Sequence, residues 1–102
     1  MHIRELLQCI EFEWDASNFS KNWLKHQVSY VECEQIFFNE PLLVQHDTQH
    51  SQQEARYYAL GRTDVNRRLF VIFTTRHQKI RIISARDMSK KERGIYEKAS
   101  QI

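Results

Sequence analysis

The sequence predicts an α+β domain, and three observations carry that reading. From residue 42 onward the hydrophobic period changes from helical to extended, with four apolar stretches separated by polar loops. Two capping signatures, Ser29 with Glu32 and Ser89 with Glu92, mark helices on either side of that block. Only two Gly and one Pro occur among 102 residues that are 41% hydrophobic and 27% charged, which suits a folded domain rather than a disordered or fibrous chain. One domain over residues 1–102 is expected, because a chain of this size can bury a core of its own.

In chain order, "CIEFEW" (9–14) alternates as a short strand, with Ile10, Phe12 and Trp14 on one face. Asp15 or Ser17 then caps a helix running to about His26, with Phe19, Trp23 and His26 on one stripe. The capping box at Ser29 starts a second helix, expected to reach Phe38. Pro41 ends it, because proline lacks an amide hydrogen and disfavours helix in the residue before it. The extended stretches are "LLVQH", "ARYYALGRT", "RRLFVIFTTR" and "KIRIISARD"; the last two are apolar on both faces and are expected to be central in the sheet. "SKKERGIYEKAS" closes the chain as a helix.

Several function classes are excluded or disfavoured by pattern. No run is long and apolar enough to span a bilayer, and charges interrupt "MHIRELLQC" where a signal peptide needs an apolar core, so a cytoplasmic location is expected. Cys9 and Cys33 have no metal-ligand spacing and read as buried thiols; His46 and His50 fall in a polar loop. Neither a metal nor a cofactor is expected. The charge is divided: residues 1–54 hold three Lys/Arg and nine Asp/Glu, whereas residues 55–102 hold twelve and four. Such a split gives either a surface for polyanions or two halves that attract each other.

If His77 and Gln78 form a tight hairpin, Arg76 pairs with Lys79 and Thr74 with Arg81 on one face of the sheet. Arg56, Tyr58, Leu60 and Arg62 share a face of the preceding strand, so one surface would collect Arg56, Arg62, Arg76, Lys79 and Arg81. Guanidinium forks of this kind suit phosphate, and the same residues also suit internal pairing with Glu11, Glu13 or Glu32. In "RIISAR" (81–86) a regular strand sends Arg81 and Arg86 to opposite faces, giving them separate roles unless a bulge intervenes.

"FEWD" (12–15), "NWLKHQVSYVE" (22–32), "GRT" (61–63) and above all "IRIISARDMSKKERGIYE" (80–97) together resemble BrnT, a family of ribonuclease toxins of bacterial type II toxin–antitoxin pairs. Two departures are Gln27, where the family pattern has Gly, and Glu40 before Pro41, where it tends to have Asp. The resemblance implies a RelE-like fold, a twisted and mainly antiparallel sheet with two N-terminal helices and a C-terminal helix. It also implies metal-independent endoribonuclease activity that inhibits translation and growth. The implied partner is a BrnA-like ribbon-helix-helix antitoxin, in a heterotetramer that binds operator DNA through the antitoxin.

RNA supplies its own nucleophile, the 2′-hydroxyl, so the protein needs a base, an acid for the 5′-oxygen and cations around the phosphorane. The expected catalytic residues are His26, Arg62, Arg76 and Arg81, with His26 as base or acid because imidazole titrates near neutral pH. Arg86, Lys25, Lys79 and Tyr96 are expected to bind substrate; Tyr96 lines the groove or packs on the sheet, and Glu92 is expected as a helix cap. The alternatives are a basic sheet that holds RNA or protein without chemistry, and a degenerate toxin kept for antitoxin binding.

Overall fold

The computed structural model describes residues 11–14, 23, 25–49 and 54–100. Within them lie β1 (Glu11–Glu13), α1 (Tyr30–Gln35), a 3-10 turn (Ile36–Phe38), β2 (Leu43–His46), β3 (Arg56–Arg62), β4 (Arg68–Arg76), β5 (Lys79–Asp87) and α2 (Lys90–Ser100). The strands form one sheet in the order β1-β5-β4-β3-β2. Its four later strands are antiparallel, while β1 runs parallel to β5. The α+β class holds, with a mixed sheet.

The helix count differs from expectation, with two α-helices among the described residues where three are expected. The first expected helix, from Asp15 or Ser17 to His26, lies largely outside the described residues. Of it, Trp23, Lys25 and His26 are helical, and the Gln27 amide donates back to the Trp23 carbonyl at 2.9 Å. Gln27 then takes φ 55°, the left-handed conformation in which glycine is at ease. The second helix begins at the expected capping box: the Glu32 amide donates to Ser29 Oγ, and the Ser29 amide donates to the Glu32 carboxylate. It tightens to 3-10 geometry at Ile36, so the α-helical part stops three residues before Phe38.

The sheet has two differently covered faces. On one, Tyr57, Ala59, Leu69, Val71, Phe73, Ile80, Ile82 and Ala85 form the main core with Val28, Cys33 and Ile36. Gly61 is required beneath α1's continuation, because a Cβ there would stand 2.8 Å from Ile36 Cβ. On the other, α2 lays Tyr96 against Leu60 and Met88, flanked by Leu43 and Phe70. Cys33 is the expected buried thiol, and burial pushes it up to about 12; Cys9 and His50 lie outside the described residues. His46 ends β2 and meets the Tyr57 ring edge-on.

His77 and Gln78 form the hairpin loop with φ 52° and 64°, the mirror-image turn that matches strand twist. Arg76 pairs with Lys79 and Thr74 with Arg81, the expected register. Farther along, that register steps from Phe73 opposite Ile82 to Ile72 opposite Ser84, leaving Ile83 as the extra residue of a bulge. The bulge corrects the expected placement of Arg86. Thr74 and Phe70 share a face of β4, and their partners are Arg81 and Arg86, so both arginines stand on the face that carries α2. Asp87 falls on the other face, opposite Leu69.

Candidate active site

The turn between β3 and β4 begins the site. Thr63 is fully buried; its hydroxyl accepts from the Arg67 amide at 3.0 Å, and its own amide donates to the Arg67 carbonyl at 2.8 Å. That closed turn aims the Arg67 guanidinium at the chain entering α1. Arg67 Nη1 donates to the Gln27 carbonyl at 2.8 Å and to Glu32 at 3.0 Å, while Nη2 donates to the His26 carbonyl at 3.3 Å. Nε and Nη2 also grip Asp87, at 2.7 and 3.1 Å. One arginine therefore joins the helix end at His26, the start of α1 and the end of β5.

The electrostatics follow from those contacts. The Arg67 hydrogen bonds hold Asp87 below the usual carboxylate range against its partial burial, and the nearby His26 adds to the lowering. Burial pushes Glu32 up, but bonds from the Ser29 amide and Arg67 outweigh it and leave Glu32 low. Its acidic neighbours, Asp87 first, raise Arg67 further. Asp87 opens on a polar cleft of about 340 Å³ lined also by Asn66, Arg68, Met88 and Arg93. Arg68 is paired with Glu97, and Arg93 makes no ion pair among the described residues. An ionised carboxylate and two arginines thus line one cleft, and the His26 backbone is held beside it, a set able to take a bound phosphate next to a residue that can move a proton.

The four expected catalytic residues are not brought together. Arg76 is held by Glu54 through two bonds, at 3.0 and 2.6 Å, at the hairpin end of the sheet. Lys79 is 3.8 Å from Glu11 at the same end. Arg81 lies in a row with Glu13 and Thr74. The length of β5, about 25 Å at strand rise, separates that end from Asp87 and His26. Arg62 belongs to a third place, where its Nε donates to the Glu40 carbonyl at 2.8 Å. There the buried Tyr96 hydroxyl donates to the Pro41 carbonyl at 2.7 Å. Burial raises the Tyr96 phenol, while Arg62 and Arg68 draw it down.

Arg86 makes a two-pronged pair with Glu92, at 2.8 and 3.0 Å, and lies 4.2 Å over the Phe70 ring. Glu92 also accepts from the Ser89 amide and receives the cap in return, as its sequence position predicts. Lys25 is exposed beside His26. The uneven charge of the two halves is partly internal, since Glu11, Glu32 and Glu54 meet Lys79, Arg67 and Arg76.

Sequence reasoning missed Arg67, Arg68, Asp87 and Arg93. The available signal was Gln27: a helix ending in a left-handed residue leaves carbonyls that need a donor, and "NRR" (66–68), in the turn between two strands, can deliver one. Asp87 was hidden by the bulge, which reverses the face assignments after Ile82.

Among the described residues there is no cluster of His, Cys, Asp and Glu suited to a metal ion, and no helix long and apolar enough to cross a membrane. No curated protein matches the chain. A family model described as "Ribonuclease toxin, BrnT, of type II toxin-antitoxin system" matches residues 14–92, which include His26, Arg67, Asp87 and Glu92. That match, over well more than half of the sequence, assigns the chain to the BrnT family of ribonuclease toxins of type II toxin–antitoxin systems.

Proposed function

We propose that the whole chain acts as one metal-independent endoribonuclease domain, cutting RNA at the corner where His26, Asp87 and the Arg68–Arg93 cleft meet. The observation that carries this reading is the shared nitrogen of Arg67, which holds the backbone carbonyl of His26 beside the Asp87 carboxylate, itself part of the cleft wall. His26 takes the proton from the 2′-hydroxyl, whose oxygen attacks phosphorus. The bond to the 5′-oxygen breaks as that oxygen takes a proton from water, leaving a 2′,3′-cyclic phosphate and a free 5′-hydroxyl. Arg93, Arg68 and Lys25 stabilise the crowded phosphorane, and Asp87 steadies the imidazolium. No metal is needed, because the nucleophile is part of the substrate and the charge stabilisation comes from fixed cations.

Arg56, Arg76, Lys79, Arg81 and Arg86, on the α2 face, guide the strand toward this corner, whereas Arg62 and Tyr96 hold the Pro41 segment on α2. The toxin inhibits translation and growth in the cytoplasm, and a BrnA-like ribbon-helix-helix antitoxin restrains it in a heterotetramer that binds operator DNA. The test is incubation of purified protein with total RNA in chelator. Fragments ending in 2′,3′-cyclic phosphate are expected, and His26→Ala, folded by circular dichroism, should cut about 10² to 10⁴ times more slowly. Intact RNA with the unsubstituted protein, or full activity in His26→Ala, overturns the reading.

A further inference from the structure

A second concavity lies on the other side of the first turn of α2. It is a groove of about 410 Å³ between that helix and strands β2 and β3, with Leu43, Tyr58, Leu60, Phe70 and Ile95 among its walls. Tyr58 and Phe70 stack at 5.8 Å with their planes 30° apart, giving the groove a flat aromatic wall. Arg86 lies on Phe70, and Lys91 stands at the rim. Two residues from Tyr58 on the same face, about 7 Å along the strand, is Arg56, in one row with Thr74 and Arg81.

We propose that this groove is a subsite for one nucleobase of the RNA strand. The inference deepens the ribonuclease reading and rests on it for the identity of the polymer. A slot with an aromatic wall takes the face of a base, and positive charge placed one short step away takes the adjoining phosphate; that pairing of surfaces is how single strands are held. The groove is lined by Ser89, Lys91 and Glu92, whereas the cleft at Asp87 is lined by Met88 and Arg93, so the two flank the same helical turn. A strand crossing that turn sets its base in the groove and a neighbouring phosphodiester in the cleft. Tyr58 then seats the base next to the cut, whichever base it is.

The test is titration of the intact protein with adenosine or uridine 5′-monophosphate, followed through the methyl resonances of Leu43, Leu60 and Ile95, with ribose 5-phosphate as the baseless probe. The nucleotides should shift those methyls and ribose 5-phosphate should not. Tyr58→Leu should weaken nucleotide binding about tenfold, the loss expected for one stacking contact, while Tyr58→Phe stays within about twofold. Equal shifts with ribose 5-phosphate, no shifts at the groove, or unchanged affinity in Tyr58→Leu overturn the proposal. Should Tyr58→Leu fail to fold, the comparison of probes on the unsubstituted protein decides. A groove that ignores nucleotides in a protein that still cuts RNA sinks the subsite alone; a groove that binds them in a protein that leaves RNA intact sinks the ribonuclease reading alone.

Discussion

Arg67 and Asp87 meet in a two-pronged pair, at 2.7 and 3.1 Å, and the nitrogen that makes the second bond also donates to the His26 carbonyl. Asp87 and Glu32 both keep lowered pKa values, so each favours folding at neutral pH, and that contribution disappears as pH falls below about 4 through the folded-state values. Arg67→Met should cost about 2 kcal/mol at pH 7, less than for a fully buried network because Asp87 is largely exposed. In urea titrations at pH 7, 4 and 3, the gap between variant and parent should narrow with acid. A constant gap would remove the two carboxylates from the account.

Gln27 occupies a left-handed position without the freedom of glycine. Gln27→Gly should stabilise the protein by about 1 kcal/mol, and Gln27→Val should destabilise it by a similar amount. Thermal melts read both, with about 4–8 °C expected per kcal/mol in a domain of this size. A lower melting temperature for Gln27→Gly would mean that the Gln27 side chain contributes more than its backbone costs.

Gly61 is a matter of space, not of dihedral freedom. Gly61→Ala places a methyl group 2.8 Å from Ile36 Cβ and should cost about 1–3 kcal/mol. Combining it with Ile36→Ala should cost less than the two losses added, since the second change opens the space that the first requires. Simple additivity in chemical denaturation would place the strain elsewhere.

Arg81 and Arg86 share a face but should fail differently. Arg86→Ala strips Glu92 of its cation, uncovers Phe70 and should lower stability by about 1–2 kcal/mol. Arg81→Ala should instead raise KM for RNA in a protein that still folds. If Arg81→Ala melts as early as Arg86→Ala and retains its KM, its role is structural pairing.

The strands, both capping boxes and the hairpin register were legible in the sequence because each is a local signal, such as an alternation, a box of four residues or a two-residue turn. The bulge at Ile83 was not, since it depends on how β5 meets β4 and leaves no mark in "RIIS" itself. That single extra residue moved Arg86 to the Arg81 face and sent Asp87 toward His26. Arg67 escaped notice for a similar reason: its partners are 20 to 41 positions away, and no spacing rule reaches that far. That His26 stands apart from Arg76 and Arg81 was not legible either, because charge and residue type carry no information about the length of a strand between them.

The bulge has a consequence unrelated to RNA. β1 covers β5 only at Lys79, Ile80 and Arg81, and from Ile82 onward the outer edge of β5 has no strand beside it among the described residues. An uninterrupted, apolar edge is a template on which another chain can add. Ile83 breaks the β4–β5 ladder two residues past the end of that pairing, and a bulge of this kind bends its strand and makes the edge a poorer template for another chain.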